Sequence, residues 1–310
     1  MKCSKISQAI APLVLASSLL ATVGSASAAL VVTGITSTVG IQSTLINALL
    51  SPTSGITADV STATYQGTNT TALQQSGTYT GFNLAPSAGG GPTVTLTNGI
   101  VLSSGTANIG NSNTTNSTSV ATGSGSNSML STLSGSVGGS TTTNDANVLT
   151  FRFQVAAGVT SVSAQFVFGT EEFPTQSVTD IFGFFVDGVN YARFPNGNLI
   201  SNTPGNPTNF IGNPVGAGLY GIEYNGLTQA FNVVGLLGTA VDGFHTITIG
   251  IADTADTIFD SGVFITNLTA GTATGGGIGP GTVPEPGSMA LVGLALGIAG
   301  FATRRSRQRG

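Results

Sequence analysis

Apolar positions along this chain repeat mostly every second residue. In residues 148–155, Phe151, Phe153 and Val155 share one parity; in residues 161–168, Val162, Ala164, Phe166 and Phe168 do. Period two in aromatic and β-branched residues predicts half-buried strands, and residues 156–160 between them predict a hairpin connection. Shorter alternating runs over 62–66, 78–80, 93–97, 100–102, 244–251 and 261–268 predict further strands, with Asn98-Gly99 read as a tight turn. One stretch departs from this rhythm. Positions 41, 45, 46, 49 and 50 are apolar at helical spacing, so a short amphipathic helix is expected, ended by Ser51-Pro52. The Ser/Thr/Gly/Asn tract 111–143 predicts a long mobile loop, and 196–218, rich in Pro, Gly and Asn, a surface loop. The pattern is all-β: an antiparallel β-sandwich, jelly-roll-like, with one short N-terminal helix and long loops.

Composition narrows the setting. Charged residues are 6% of the chain and Lys is absent after Lys5, so there is little to meet phosphate and nucleic acid is excluded as a partner. Residues 1–28 read as a signal peptide: Lys2 and Lys5, an apolar stretch over 9–22, and Ala26-Ser27-Ala28 as the signal-peptidase site. The single cysteine, Cys3, falls inside it, leaving the mature chain without disulfides. At the other end, the apolar run 289–302 would form a helix of about 21 Å, short of the ~30 Å hydrocarbon core. Arg304, Arg305, Arg307 and Arg309 after it favour the cytoplasmic side.

The acids carry the candidate chemistry. All but Glu285 of the 12 Asp and Glu residues lie in the body, where the basic residues are Arg152 and Arg193 alone. Most fall in two groups, Glu171, Glu172, Asp180 and Asp187, then Asp242, Asp253, Asp256 and Asp260. Two carboxylates ~5 Å apart at an effective dielectric near 20 repel by about 3 kcal/mol, so a cluster without cations either holds protons or binds a cation. Calcium suits all-oxygen loop ligands, which makes Glu171, Glu172, Asp180, Asp253, Asp256 and Asp260 candidate Ca2+ ligands if the two groups meet. Solvated acidic loop ends are the competing reading. A glycoside hydrolase would use a pair of the same carboxylates about 5–9 Å apart, but Glu171 and Glu172, as strand neighbours, point to opposite faces. No second His and no nucleophile motif support another hydrolase, and His245 sits on the polar parity of its strand, facing solvent. A non-enzymatic protein is expected. Carbohydrate binding or cleavage through these acids is the alternative, and ice binding by the Thr93, Thr95 and Thr97 face is a weaker one.

Several segments resemble a known family. "NVLTFRF", "SVSAQFVFGTEEFP", "DIFGFFVDG" and "ITIGIADTADTIFDSGVFI", preceded by "LINALL", "ATYQG" and "GIVLSSG", resemble the choice-of-anchor L domain of secreted bacterial proteins over roughly residues 40–268. Residues 190–231 depart from it by their length in Gly, Pro and Asn. That family is named for its variable anchors, so the resemblance implies no activity. Val283-Pro284-Glu285-Pro286, the run 289–302 and the arginine tail resemble the PEP-CTERM sorting signal. It implies transient inner-membrane insertion through 289–302 and cutting by an exosortase near Pro284-Glu285-Pro286. The body would then be released to the outer surface or exopolysaccharide matrix of a Gram-negative-type bacterium. The expected plan is signal peptide 1–28, β-domain 30–270, Gly-rich linker 271–282 and sorting signal 283–310.

Overall fold

A computed structural model of the chain describes residues 29–87, 91–137, 139–174, 180–201 and 206–280. The expectations for the signal peptide with Ala26 and Ala28, and for the sorting signal with Pro284, Glu285, Pro286 and the run 289–302, lie outside them. In chain order the elements are β1 (Val31–Gly34), α1 (Ile41–Leu49), β2 (Ile56–Gln66), β3 (Ser76–Thr80), β4 (Asn83–Leu84), β5 (Val94–Thr95), β6 (Gly99–Ser103), α2 (Ser128–Gly135) and β7 (Thr143–Val155). They continue with β8 (Ser161–Thr170), β9 (Ile181–Val186), β10 (Val189–Asn190), β11 (Phe210–Gly212), β12 (Gly226–Thr228), β13 (Phe231–Leu236), β14 (His245–Thr254), β15 (Ser261–Gly271) and β16 (Gly277–Pro280).

Two antiparallel sheets pack face to face. One has the strand order β10-β9-β14-β7-β2; the other runs β1-β3-β6-β15-β8-β12-β11, with β13 also on β8 and β16 on β13. The core between them follows the parity of the sequence. Leu149, Phe151 and Phe153 of β7, Phe182 and Phe184 of β9, and Ile247, Ile249 and Ile251 of β14 meet Val162, Ala164, Phe166 and Phe168 of β8 and Val263 and Ile265 of β15. Helix α1 adds Ile41, Leu45, Ile46 and Leu49 to the same cluster, and Leu50 is already extended, as Ser51-Pro52 requires. The opposite parity is covered too. Val101, Val167 and Phe264 lie under the β4–β5 pair and Tyr220, Ile222 and Tyr224, while Ala146, Val148, Ile181 and Ala252 lie under α2.

Several expectations are corrected. Strands β7 and β8 form as expected but lie in different sheets, so 156–160 is an arch across the sandwich and not a hairpin. Their aromatic faces oppose each other, and a hairpin would have set them side by side. Residues 93–97 reduce to the two-residue β5 on β4, because β6 is held on both sides by β3 and β15; Asn98-Gly99 therefore joins no hairpin. Of Thr93, Thr95 and Thr97 only Thr95 lies in a strand, and Thr97 bonds to Thr266 (3.0 Å). The tract 111–143 is packed, not loose. Asn127 caps α2 by accepting from the amides of Met129 and Leu130 at 3.1 and 3.3 Å, and Leu130 and Leu133 are buried. Residues 196–218 contribute buried Leu199, Ile200, Asn206, Phe210 and Asn213, so they are not merely surface, and the end of the Gly-rich linker forms β16. His245 does not face solvent: its Nδ1 lies 2.7 Å from Asp187 Oδ2.

Phe166 is fully buried, with ring centroids 5.1 Å from Phe182 across the sandwich and 5.9 Å from Phe231 beside it. Phe166→Ala should cost about 3–5 kcal/mol in denaturant unfolding, whereas Val39→Ala, 89% exposed, should stay within about 0.5 kcal/mol.

Candidate functional site

The topology brings both acidic groups to one end of the sandwich. In one sheet β8 ends where β15 begins, with Thr170 opposite Ser261; in the other β14 ends where β9 begins, with Ala252 opposite Ile181. The two links between the sheets, 171–180 and 255–260, therefore cross at the same end and carry Glu171, Glu172, Asp180, Asp256 and Asp260. Parity fixes which way the acids next to the strands face. Phe182 and Ile251 point into the core while Ile181 and Ala252 point out, which sends Asp180 and Asp253 inward where the apolar stripe ends. Glu171 and Glu172 lie in the bend just after β8, not on an extended strand, and have different acidic neighbours. The charges of Asp256 and Asp253 act on Glu172, and those of Glu223 and Asp260 on Glu171.

Burial at this end is nearly complete. Glu171, Glu172, Asp180, Asp253 and Asp260 are each at most 1% exposed, and only Asp256 is half-buried. Two acids not singled out from the sequence join them, Asp145 at a left-handed turn in β7 (φ 47°) and Glu223 before β12. Neither has an acidic neighbour in sequence, so nothing local marks them. Asp187 and Asp242, grouped with the cluster by sequence, belong elsewhere: Asp187 follows the far end of β9 and pairs with His245, and Asp242 precedes β14. Among the described residues that pair is the one ion pair.

Backbone amides of the 111–127 segment satisfy some of these carboxylates. Val120 N–H donates to both oxygens of Asp260 (3.1 and 2.9 Å), Gly123 N–H to Asp145 Oδ1 (2.8 Å), and the amides of Thr114 and Thr115 to Glu223 (3.1 and 2.9 Å). Thr114 and Thr118 add hydroxyl donors to Glu223 at 3.1 and 3.3 Å. The fit is close. A Cβ on Gly105 would fall 1.7 Å from Asp260 Oδ2, so no other residue can stand there. Gly169 and Gly262, paired across β8 and β15, likewise leave room for the Tyr224 ring to lie on the sheet beside the cluster.

Other carboxyl oxygens have no hydrogen-bond partner: both of Glu171, both of Asp253, and Oδ1 of Asp180. Their electrostatics follow. Burial, then the charges of Glu223 and Asp260, push Glu171 up to about 8; the Thr118 amide opposes the shift without forming a bond. Burial pushes Asp253 well above the carboxylate range, with Asp180 as the next cause. Asp180 is raised by burial and then by Glu172, with the side chains of Ser261 and Asp253 opposing the shift; Ser104 Oγ lies 3.5 Å from its Oδ2. Glu172 is raised by burial and then by Asp256 and Asp253. Burial lifts Asp260 to about 7 despite the Val120 amide. Among the described residues, no three Asp, Glu, His or Cys side chains stand ready-arranged to hold a metal ion.

Raised folded-state pKa values mean that the folded protein binds protons more tightly than the unfolded chain, so this end stabilises the fold in acid and loses that contribution as pH rises. In metal-free buffer the melting temperature should be highest near pH 4–5 and fall as pH passes through about 7 and about 8, where Asp260 and Glu171 ionise. Glu171→Gln should flatten the upper part of that profile in a thermal-melt series.

Comparison with known proteins agrees with the motif evidence. No curated protein and no solved structure matches the chain. Among the described residues, no helix is long and apolar enough to cross a membrane. The PEP-CTERM protein-sorting motif matches residues 282–307 and marks an exported, cell-surface protein handled by an exosortase-type sorting protease. The family model of the choice-of-anchor L domain matches residues 35–269, the sandwich from just after β1 into β15, and the chain belongs to that family.

Proposed function

We propose that the mature protein is a passive, non-enzymatic building block of the bacterial surface and its exopolysaccharide matrix. Signal peptidase removes residues 1–28, the segment 289–302 holds the chain in the inner membrane of a Gram-negative-type cell, and an exosortase cuts near Pro284-Glu285-Pro286 to free the body. The observation that carries this reading is a sorting motif following closely on a closed sandwich whose last strand, β16, ends at Pro280. The body suits a polysaccharide setting: it is poor in charge, and its loops and edges offer Ser, Thr and Asn hydroxyls and amides. Neither family is an enzymatic one.

The carbohydrate-cleaving alternative fares worse. Its acids would be drawn from Glu171, Glu172, Asp253, Asp256 and Asp260, and of these only Asp256 is even half-exposed, so no pair of them is open to a glycan chain. Carbohydrate binding by the exterior is compatible with the proposal.

Fractionation of cells with and without an active sorting protease tests it, with intact-mass measurement of the recovered chain. The expected result is a body lacking both termini in the surface and matrix fraction, and a heavier, membrane-held form when the protease is absent. A chain that keeps its tail in both strains, or that never leaves the cell, overturns the proposal.

A further inference from the structure

We propose that Glu172, Asp180 and Asp253 bind a divalent cation of the calcium type between the two sheets, at the end where the chain crosses from one to the other. The backbone sets Asp180 and Asp253 side by side, since Ala252 pairs with Ile181 in antiparallel register, and the charge of Glu172 acts on Asp180 as that of Asp253 acts on Glu172. An acidic cluster alone would not single out this place. The distinguishing observation is that both oxygens of Asp253 and Oδ1 of Asp180, on residues at most 1% exposed, accept no hydrogen bond of ordinary geometry, although the Ser104 and Ser261 hydroxyls lie close enough to offset part of the burial. Buried polar atoms are otherwise almost always satisfied, and an unpaired buried carboxylate is among the most expensive exceptions. The neighbouring acids show how this fold treats carboxylates it means to keep apart. Asp260, Asp145 and Glu223 each receive backbone amides from 111–127, and no amide is aimed at Asp180 or Asp253.

Neutral oxygens complete the donor set. Ser261 Oγ is buried without a partner, and Ser104 Oγ lies 3.5 Å from Asp180 Oδ2 while accepting from Ser261 N–H at 2.9 Å. Hard oxygen donors of this kind select calcium or magnesium over softer metals. Calcium accepts six to eight ligands in loose geometry at about 2.3–2.6 Å, whereas magnesium demands a near-ideal octahedron. As they stand no three of the carboxyl groups among the described residues are arranged to hold an ion, so binding draws them together by side-chain rotation, which the tolerant cation permits. Asp253 lies opposite the register shift of β7, where Ile251 pairs with Asn147 but Asp253 with Asn144. The inference rests on the proposed extracellular setting for its supply of calcium, but binding itself is measured in solution and does not depend on where the protein works.

The test is equilibrium dialysis of the purified full chain against radioactive calcium near neutral pH, paired with thermal melting in calcium, in magnesium and in chelator. The expected result is one saturable calcium per chain, with a dissociation constant on the order of 0.1–1 mM as in extracellular modules. Melting temperature should rise by about 5–10 °C at a hundredfold excess over that constant, with a smaller rise in magnesium. Asp253→Asn and Asp180→Asn should each abolish the calcium-dependent rise, yet melt no lower than the wild type in chelator, because each removes a buried charge. Asp187→Asn, whose carboxylate pairs with His245 instead, should keep the full response. No saturable binding by the wild type overturns the inference, whatever the variants do, and leaves protons as the sole occupants of the cluster. A calcium response that survives Asp253→Asn, or one that Asp187→Asn removes equally, overturns the site assignment. If an Asn variant fails to fold, the wild-type dialysis still decides. Failure here leaves the localisation result intact, and failure of localisation leaves the dialysis result intact.

Discussion

Burying carboxylates at the end of a β-sandwich with no cationic side chain among them is the constraint around which this molecule is built. A buried carboxylate stripped of water costs several kcal/mol even after relaxation, while a hydrogen bond to a charged group returns about 1.5–3 kcal/mol. A few donors can therefore hold one acid, as two amides and two hydroxyls hold Glu223 and the shared Val120 amide partly holds Asp260. A fold that did this for every acid would need a donor-rich cover over the whole end. Segment 111–127 supplies such a cover for part of the cluster only. The rest is left to protons or to an ion, which ties the stability of the fold to its surroundings.

The cover explains a composition that would otherwise look like filler. A Ser/Thr/Gly/Asn tract has little apolar area to offset its ordering entropy, and taken alone it should not settle. Here its ordering is shared with the acids. Gly123 and Gly125 take left-handed φ values of 68° and 79°, and Gly123 gives its amide to Asp145. Beneath lies a polar layer that is already satisfied: Asn147 donates to Gln75 O (2.8 Å) and Ser103 O (3.2 Å), and Gln75 donates to Asp145 O (2.7 Å). The unsatisfied carboxylates thus sit between a complete polar floor and an incomplete lid. Leu130 and Leu133 of α2 then pin the tract to the outer face of the smaller sheet.

What could be read from the sequence was what is periodic and local. The two-residue rhythm of β7 and β8, the helical spacing of α1 and the placing of Glu171-Glu172 at a strand end all follow from neighbouring residues. Partnership does not. Two alternating strands look the same whether they pair edge to edge or face each other across a core, and the arch at 156–160 was misread for that reason. Asp145 and Glu223 were missed because each is a lone acid brought in by the fold, and Asp187 was grouped with the cluster because nearness in sequence says nothing about which end of β9 it occupies. In 111–143 composition hid a real signal. Asn127 followed by Met129, Leu130 and Leu133 is a capped helical turn with an apolar side, and it went unseen inside a tract judged as a whole.

The closeness of the sandwich to its sorting motif sets a further physical condition. Strand β16 pairs with β13 through Pro280 opposite Phe231, so the chain is tied into the sheet until two residues before the sorting motif begins at 282. From Pro280 to Pro284 a fully extended chain reaches at most about 14 Å. A protease that cuts there must work against the folded edge itself, or β16 must first peel from β13. Peeling a short edge strand gives up a few ladder hydrogen bonds at about 1 kcal/mol each, and it leaves the core packing of β8 and β15 untouched. The attachment is thus weak where processing needs slack and firm where the fold needs closure. The sheet edge and the processing point can then be adjusted separately, which suits a fold that is carried by different anchors.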